Sequence, residues 1–254
     1  MDIMSLIGLF GAVGLLFFGM TAGGAQINSF HDIGSVAITV GGTFAALMLT
    51  FPMRTFAELP KMILKIFLPG KTFSPQKYAA AIVEIAIDER KNGILFLERK
   101  LSEYKDVFLR KGVQFIVDDE KPEEIREKMG AEIKYMAERH KQGVRFFEKG
   151  ATLAPGFGIL GTLTGLINML AQAETPDGIM SGMAAALITT FYGLILANLI
   201  FIPMGNKLQK RSDEEILCKQ MIIEGVIAVV NGESPKQISE KLEAYVPFSK
   251  RKNV

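Results

Sequence analysis

Thr162, Thr164, Asn168, Thr189, Thr190, Tyr192 and Asn198 place hydroxyls and amides in a stretch that otherwise has almost nothing to do chemistry with. Residues 150–206 lie between Lys149 and Lys207, and their only charges are Glu174 and Asp177, in a short polar break. Unpaired polar atoms are costly in lipid, so something polar passes between these segments or pairs with them. The oxygens of Thr162, Thr189 and Thr190, with Tyr192 beside them, can line an ion path, coordinating a hydrated ion or a water. Alternatively, each threonine hydroxyl bonds back to its own helix, as threonine does readily in lipid. The apolar segments contain no Asp, Glu, Lys or Arg. Ion-coupled machines need an ionisable group inside the membrane. If this chain works with ions, that carboxylate comes from a second chain.

Catalytic constellations are absent. The two histidines, His31 and His140, fall on opposite sides of the expected membrane, and the single Cys218 reads as a buried, unreactive thiol. No Ser-His-Asp set, phosphate loop or metal-ligand spacing is present. Gly156-x-Gly158-x-x-Gly161 matches the dinucleotide fingerprint by letter, but no strand precedes it and an apolar helix follows, so these are packing glycines. Basic residues alternate with acids and the net charge is +2, which argues for a solvated face and against nucleic acid. The chain reads as a non-enzyme with no cofactor and no metal.

The elements that must hold these hydroxyls are membrane helices. Each side of the polar break offers about 20 charge-free residues, enough to cross a ~30 Å hydrocarbon core. The expected helices run 151–172 and 180–203. Two earlier charge-free runs give helices near 3–22 and 33–51, for four crossings in all. All 29 Lys and Arg fall in residues 52–150, which hold 20, and 205–254, which hold 9. The positive-inside rule then puts that loop, the C-terminal tail and the N-terminus in the cytoplasm. No cation precedes the first apolar run and a second run follows at once, which argues against a cleaved signal. The chain divides into a first hairpin (1–51), a cytoplasmic helical loop domain (52–150), a second hairpin lining the ion path (151–204) and cytoplasmic C-terminal helices (205–254).

Within this frame, Gly8, Gly11, Gly14, Gly19 and Gly23 allow close helix approach in the first hairpin, Gly41-Gly42 interrupts the second crossing, and Pro52 ends it. Gly161 and Gly165, facing Gly182, Ala186, Gly193 and Ala197, are expected to pack tightly in an oligomer. Residues 54–68 have helical periodicity that suits either the cytoplasmic membrane surface or packing on the soluble domain. Pro69-Gly70 reads as a turn, Ser74-Pro75 as a capped helix start, Asn92-Gly93 as another turn, and Ser234-Pro235 as the start of a last helix that ends near Tyr245. From Pro122 a helical pattern meets no strong breaker before Pro155. A helix of ~50 residues would be about 75 Å long. A second long helix is expected to run past Lys207 to Asn231-Gly232. The expected fold is thus an all-α membrane protein: four transmembrane helices, a large cytoplasmic helical domain, and two long helices extending from membrane into cytoplasm.

ERHKQG (138–143), APGFGILGTLTGLINML (154–170), ALITTFYGLILAN (186–198) and NGESPKQISEKLEAY (231–245) resemble the MotA/PomA family of flagellar stator subunits, and the resemblance covers nearly the whole chain. It implies a complex that turns a proton or sodium gradient into torque on the flagellar rotor, in the bacterial inner membrane. It implies a pentamer of this subunit around a MotB-type partner, a single-span, peptidoglycan-anchored chain that supplies the membrane aspartate. It also implies contact with the rotor protein FliG. On this likeness Thr162 and Thr189 match pore-facing threonines of sodium-driven members, which leans the coupling ion towards sodium. Pro155 and Pro203 match prolines implicated in coupling ion passage to movement, and Arg90, Lys91 and Glu98 match rotor-contact charges. Arg99 and Leu101 stand where the sodium-driven relative has acids, so the rotor contact here is charged differently. An ExbB- or TolQ-like energising channel is the rival, against which its usual three crossings argue. A small secondary transporter and a passive scaffold are weaker ones.

Overall fold

Charge-free runs become helices throughout. The computed structural model describes residues 3–24, 27–67 and 73–246, and among them every regular element is helical. In chain order these are α1 (Ile3–Ala22), α2 (Ile33–Thr50), α3 (Met53–Phe67), α4 (Pro75–Asn92) and α5 (Ile94–Lys100). They are followed by α6 (Val107–Val117), α7 (Pro122–Ala171), α8 (Pro176–Val230) and α9 (Pro235–Leu242). The 50-residue α7 has the expected start and length, and Pro155 lies inside it. The turn expected at Pro69-Gly70 lies outside the described residues.

The chain forms two compact units, Met1–Gly70 with Lys141–Gln209 and Lys71–His140 with Lys210–Val254, to both of which α7 and α8 contribute. In the first unit, α2, α7 and α8 are each long and apolar enough to cross a membrane, and α1 adds a shorter apolar run, Leu6–Ala22. Its core is aromatic: Phe146, Phe147 and Phe201 with Leu47, Ala154, Leu196 and Ala197. Phe56, Leu59, Met62 and Ile66 of α3 pack on this cluster, Phe56 edge-on to Phe146 at 5.3 Å. This helix therefore packs within the first unit.

The second unit is an ordinary helical core. Ile82, Ile85 and Ala86 of α4, Val113 and Ile116 of α6, Met129 of α7, Ile222 and Val226 of α8, and Ile238 and Leu242 of α9 are all buried together. Gly112 and Gly225 let these helices close up, since a Cβ on either would lie 2.7 Å from Val226 or 2.6 Å from Ile82. Caps fix the helix starts. Asp106 accepts the amides of Phe108 and Leu109, and Ser234 and Gln237 form a reciprocal capping box. Ser74 departs from expectation: its hydroxyl bonds Gln76 at 2.9 Å and caps nothing, although Pro75 does start the helix.

Two segments are wound more widely than an α-helix. Ala37–Gly41 in α2 and Leu196–Phe201 in α8 are π-helical, with Gly42 N–H reaching Ala37 O and Ile202 N–H reaching Ala197 O. The Gly41-Gly42 pair thus loosens α2 without interrupting it. Gly42 also leaves the space that the Phe157 ring of α7 fills. In α8 the widened turn stands just before Pro203, whose missing N–H already removes one α-helical bond.

Candidate functional site

The hydroxyls sit where α7 meets α8. Thr175 caps α8 by accepting Gly178 N–H at 3.2 Å, closing the hairpin turn after Ala171. Small residues then bring the two backbones together. A Cβ on Gly165 would lie 2.6 Å from Ala186 N, and one on Gly193 would lie 2.8 Å from Ala154 O and 3.3 Å from Pro155 Cα. A Cβ on Gly158 would lie 3.2 Å from Thr189 O. The small residues expected to pack tightly thus meet within this hairpin, Gly165 against Gly182 and Ala186, and Gly193 against Ala154 and Pro155.

Of the four expected ion-path residues the structure brings two together. Thr162 and Thr190 are half-buried, and their hydroxyls hydrogen-bond each other directly. Thr162 Oγ1 also lies 3.1 Å from Gly158 O and 3.0 Å from Ala186 O, and Thr190 Oγ1 lies 3.4 Å from the same Ala186 O. The pair holds two protons. One is shared between the hydroxyls and the other goes to a carbonyl, so lone pairs on both oxygens stay open to a hydrated cation or a water.

Thr189 faces elsewhere. It is buried, its side chain occupies the space Gly161 leaves, and its hydroxyl returns to Ala185 O at 3.0 Å or Ala186 O at 2.9 Å. Tyr192 donates its hydroxyl to Phe30 O, and the neighbouring Phe191 ring stacks 5.4 Å from Phe30, tying α8 to the tip of the first hairpin. Thr164 and Asn198 are exposed and bond back to their own helices at 2.9 Å. Pro155 is half-buried against Gly193, and Pro203 is exposed.

The sequence reading passed over a second set of hydroxyls. Ser35, Thr39 and Thr43 of α2 are buried, with Thr39 Oγ1 3.3 Å from Thr189 O and Thr43 Oγ1 2.6 Å from Thr39 O. Ser35 donates to the carboxylate of Asp32, and the same carboxylate accepts Ser35 N–H at 2.7 Å as the α2 cap. Ser35's hydroxyl and amide hold the Asp32 carboxyl below its ordinary range. The i, i+4 spacing of 35, 39 and 43 was the available signal.

In the second unit Arg90, Lys91 and Glu98 are exposed around the Gly93 turn, where φ is +79° and glycine meets no strain. Exposed Leu95 and Arg99 share this turn. Lys100 braces it from beneath, 2.8 Å from Asp88 and 5.0 Å from the Phe96 ring centroid. Its ammonium pKa is raised, first by the Asp88 hydrogen bond. Among the described residues no group of three His, Cys, Asp or Glu is placed to hold a metal ion.

Comparison with known proteins gives a consistent result. Residues 100–221 match the MotA/TolQ/ExbB proton channel family. Over its full length the chain is 36% identical to motility protein A of Treponema pallidum, covering 97% of that protein. It is 37% identical to chemotaxis protein PomA of Vibrio alginolyticus, with 99% of this chain and 98% of that one covered. The MotAB stator complex of Bacillus subtilis contains a chain 31% identical to this one, with a TM-score of 0.91 and 98% of each chain covered. The MotAB structure of C. jejuni shares the fold at a TM-score of 0.91 with 23% identity.

Proposed function

We propose, from the premise that the chain belongs to the MotA/PomA family, that it is a flagellar stator subunit forming an ion-conducting complex with a MotB-type partner. It is not an enzyme. The observation that carries the reading is the paired hydroxyls of Thr162 and Thr190 on an apolar hairpin that supplies no membrane carboxylate of its own. Such a site can receive an ion but cannot bind and release it without a titratable partner.

The partner's aspartate supplies that group. An ion reaching it neutralises its charge and changes its preferred position in a low-dielectric interface. The hydroxyl pair holds the ion or its water on the way, and it favours sodium over protons as the coupling ion. Repetition around a pentamer of this subunit turns such steps into rotation. Pro155 and Pro203 mark where α7 and α8 yield, because each removes a backbone hydrogen bond from its helix. Arg90, Lys91 and Glu98, exposed beside one turn, engage FliG. The chain crosses the inner membrane four times, with both termini cytoplasmic and the four segments taking the roles assigned from sequence.

Deleting the gene tests this. The expected result is cells that carry normal filaments by electron microscopy and do not swim, with swimming restored by the gene in proportion to external sodium. Unchanged swimming, in a strain with no second stator set, overturns the reading.

A further inference from the structure

We propose that Thr39 is a positioning residue of the ion path, a hydroxyl on α2 that sets the direction in which α8 presents Thr190. The inference rests on the reading of the Thr162–Thr190 pair as that path.

Thr39 is fully buried and stands in the middle of the π segment of α2. Its one hydroxyl proton goes to the carbonyl of Thr189, 3.3 Å away on α8. That acceptor belongs to the same planar peptide unit as the amide of Thr190. A bond to it therefore fixes the plane from which the Thr190 side chain departs. Thr190 leaves α8 about 100° round from Thr189, on the side where its hydroxyl meets Thr162. The donor comes from one helix and the presented group faces another.

The contact is specific in kind. Thr189 keeps its own hydroxyl on Ala185 O and Ala186 O, so it does not supply this bond itself. Ser35, one turn earlier on α2, lies 3.5 Å from Ala185 O but has its proton on Asp32. Thr43, one turn later, bonds back to Thr39 O. Among the described hydroxyls of α2, Thr39 is thus the one that donates across to α8. A neighbour that served packing alone would need the shape of threonine and not its proton.

The test exploits that difference. Thr39→Val, Thr39→Ser, Thr190→Ala and the double variant Thr39→Val with Thr190→Ala replace the native gene in swimming cells. Swimming speed is read against external sodium, and against external pH for a proton-driven complex. Membrane level and co-purification with the partner are measured in parallel. The expected result is that Thr39→Val reaches the membrane and keeps its partner. Its half-maximal ion concentration shifts on the order of threefold, Thr39→Ser stays with the parent, and the double variant is no worse than Thr190→Ala alone. Parental ion dependence in Thr39→Val overturns the proposal. So does a double variant whose effects multiply, since Thr39 would then act independently of Thr190. Loss of Thr39→Val from the membrane also overturns it, by making Thr39 a folding determinant. Failure of the parental gene to restore swimming would instead sink the stator reading itself.

Discussion

At the scale of single residues the site turns on two adjacent threonines doing different work. Thr190 pairs with Thr162 at a half-exposed position, while Thr189 fills the hole over Gly161 and spends its proton on its own helix. Replacing Thr162 by Val is therefore expected to cut swimming speed severalfold while the protein accumulates normally. A hydrogen bond between membrane helices contributes only about 0.6 kcal/mol on average. Thr162→Ser should retain most function, and Thr164→Ala, which removes an exposed hydroxyl bonded back to Leu160 O at 2.9 Å, should have none of this effect. Speed against ion concentration, with membrane level by immunoblot, separates these outcomes. If Thr164→Ala proves equivalent to Thr162→Val, the pair has no special standing. The candidate threonines were legible in the sequence because hydroxyls are conspicuous in a charge-free run. Their division of labour was not, since positions 189 and 190 differ by a rotation whose zero is set by which helix packs where. Thr39 escaped for a related reason: the hydroxyls of α2 read as decoration on an apolar segment until α8 supplies an acceptor for this one.

At the scale of elements, helix identity and length followed from charge-free runs and caps, whereas helix partners did not. The α7–α8 pair is the exception: Gly165 packs on Gly182 and Ala186, the small residues expected opposite it. Gly165→Val should thus prevent the hairpin from closing, because the neighbour at 2.6 Å is backbone and cannot swing aside. Gly11→Ala should leave accumulation unchanged, since a Cβ there meets nothing within 4 Å in this chain and alanine favours helix by about 1 kcal/mol. Protease resistance and membrane level of the two variants check the contrast; a stable Gly165→Val protein would contradict the packing. The π segments were only half legible: Gly41-Gly42 and Pro203 mark weak points in a helix without saying that the backbone beside them widens. The α4–α5 turn makes a separate demand. Arg90→Glu should reduce torque at undiminished ion conduction, and a compensating reversal in FliG should restore it, since exposed charges set partner choice more than stability. Swimming and ion flux measured on the same cells would show whether the two separate.

At the scale of the molecule, the decisive quantity is where the cations are not. None of the 29 Lys and Arg falls in residues 1–51 or 150–206, and the positive-inside rule turns that one count into the proposed orientation. The same distribution explains why the chain needs a partner: excluding every charge from its apolar segments leaves it hydroxyls to guide an ion and nothing to titrate. Orientation is directly measurable, because the only native thiol is out of play. Cys218 is buried, and burial pushes its pKa up to about 11, so about one thiol in a thousand is ionised at pH 8, too few for ready alkylation. A cysteine introduced at Glu174, in the turn between α7 and α8, should react with a membrane-impermeant maleimide on intact spheroplasts. One introduced at Lys236, at the start of α9, should react only after permeabilisation. The opposite pattern, with the Lys236 site reacting on intact spheroplasts and the Glu174 site only after permeabilisation, would reverse the reading of the cation count. With it would fall the placement of Arg90 and Glu98 where a cytoplasmic rotor can reach them. The labelling therefore tests the functional proposal independently of swimming, since a rotor contact on the wrong side of the membrane cannot transmit torque whatever the ion path does.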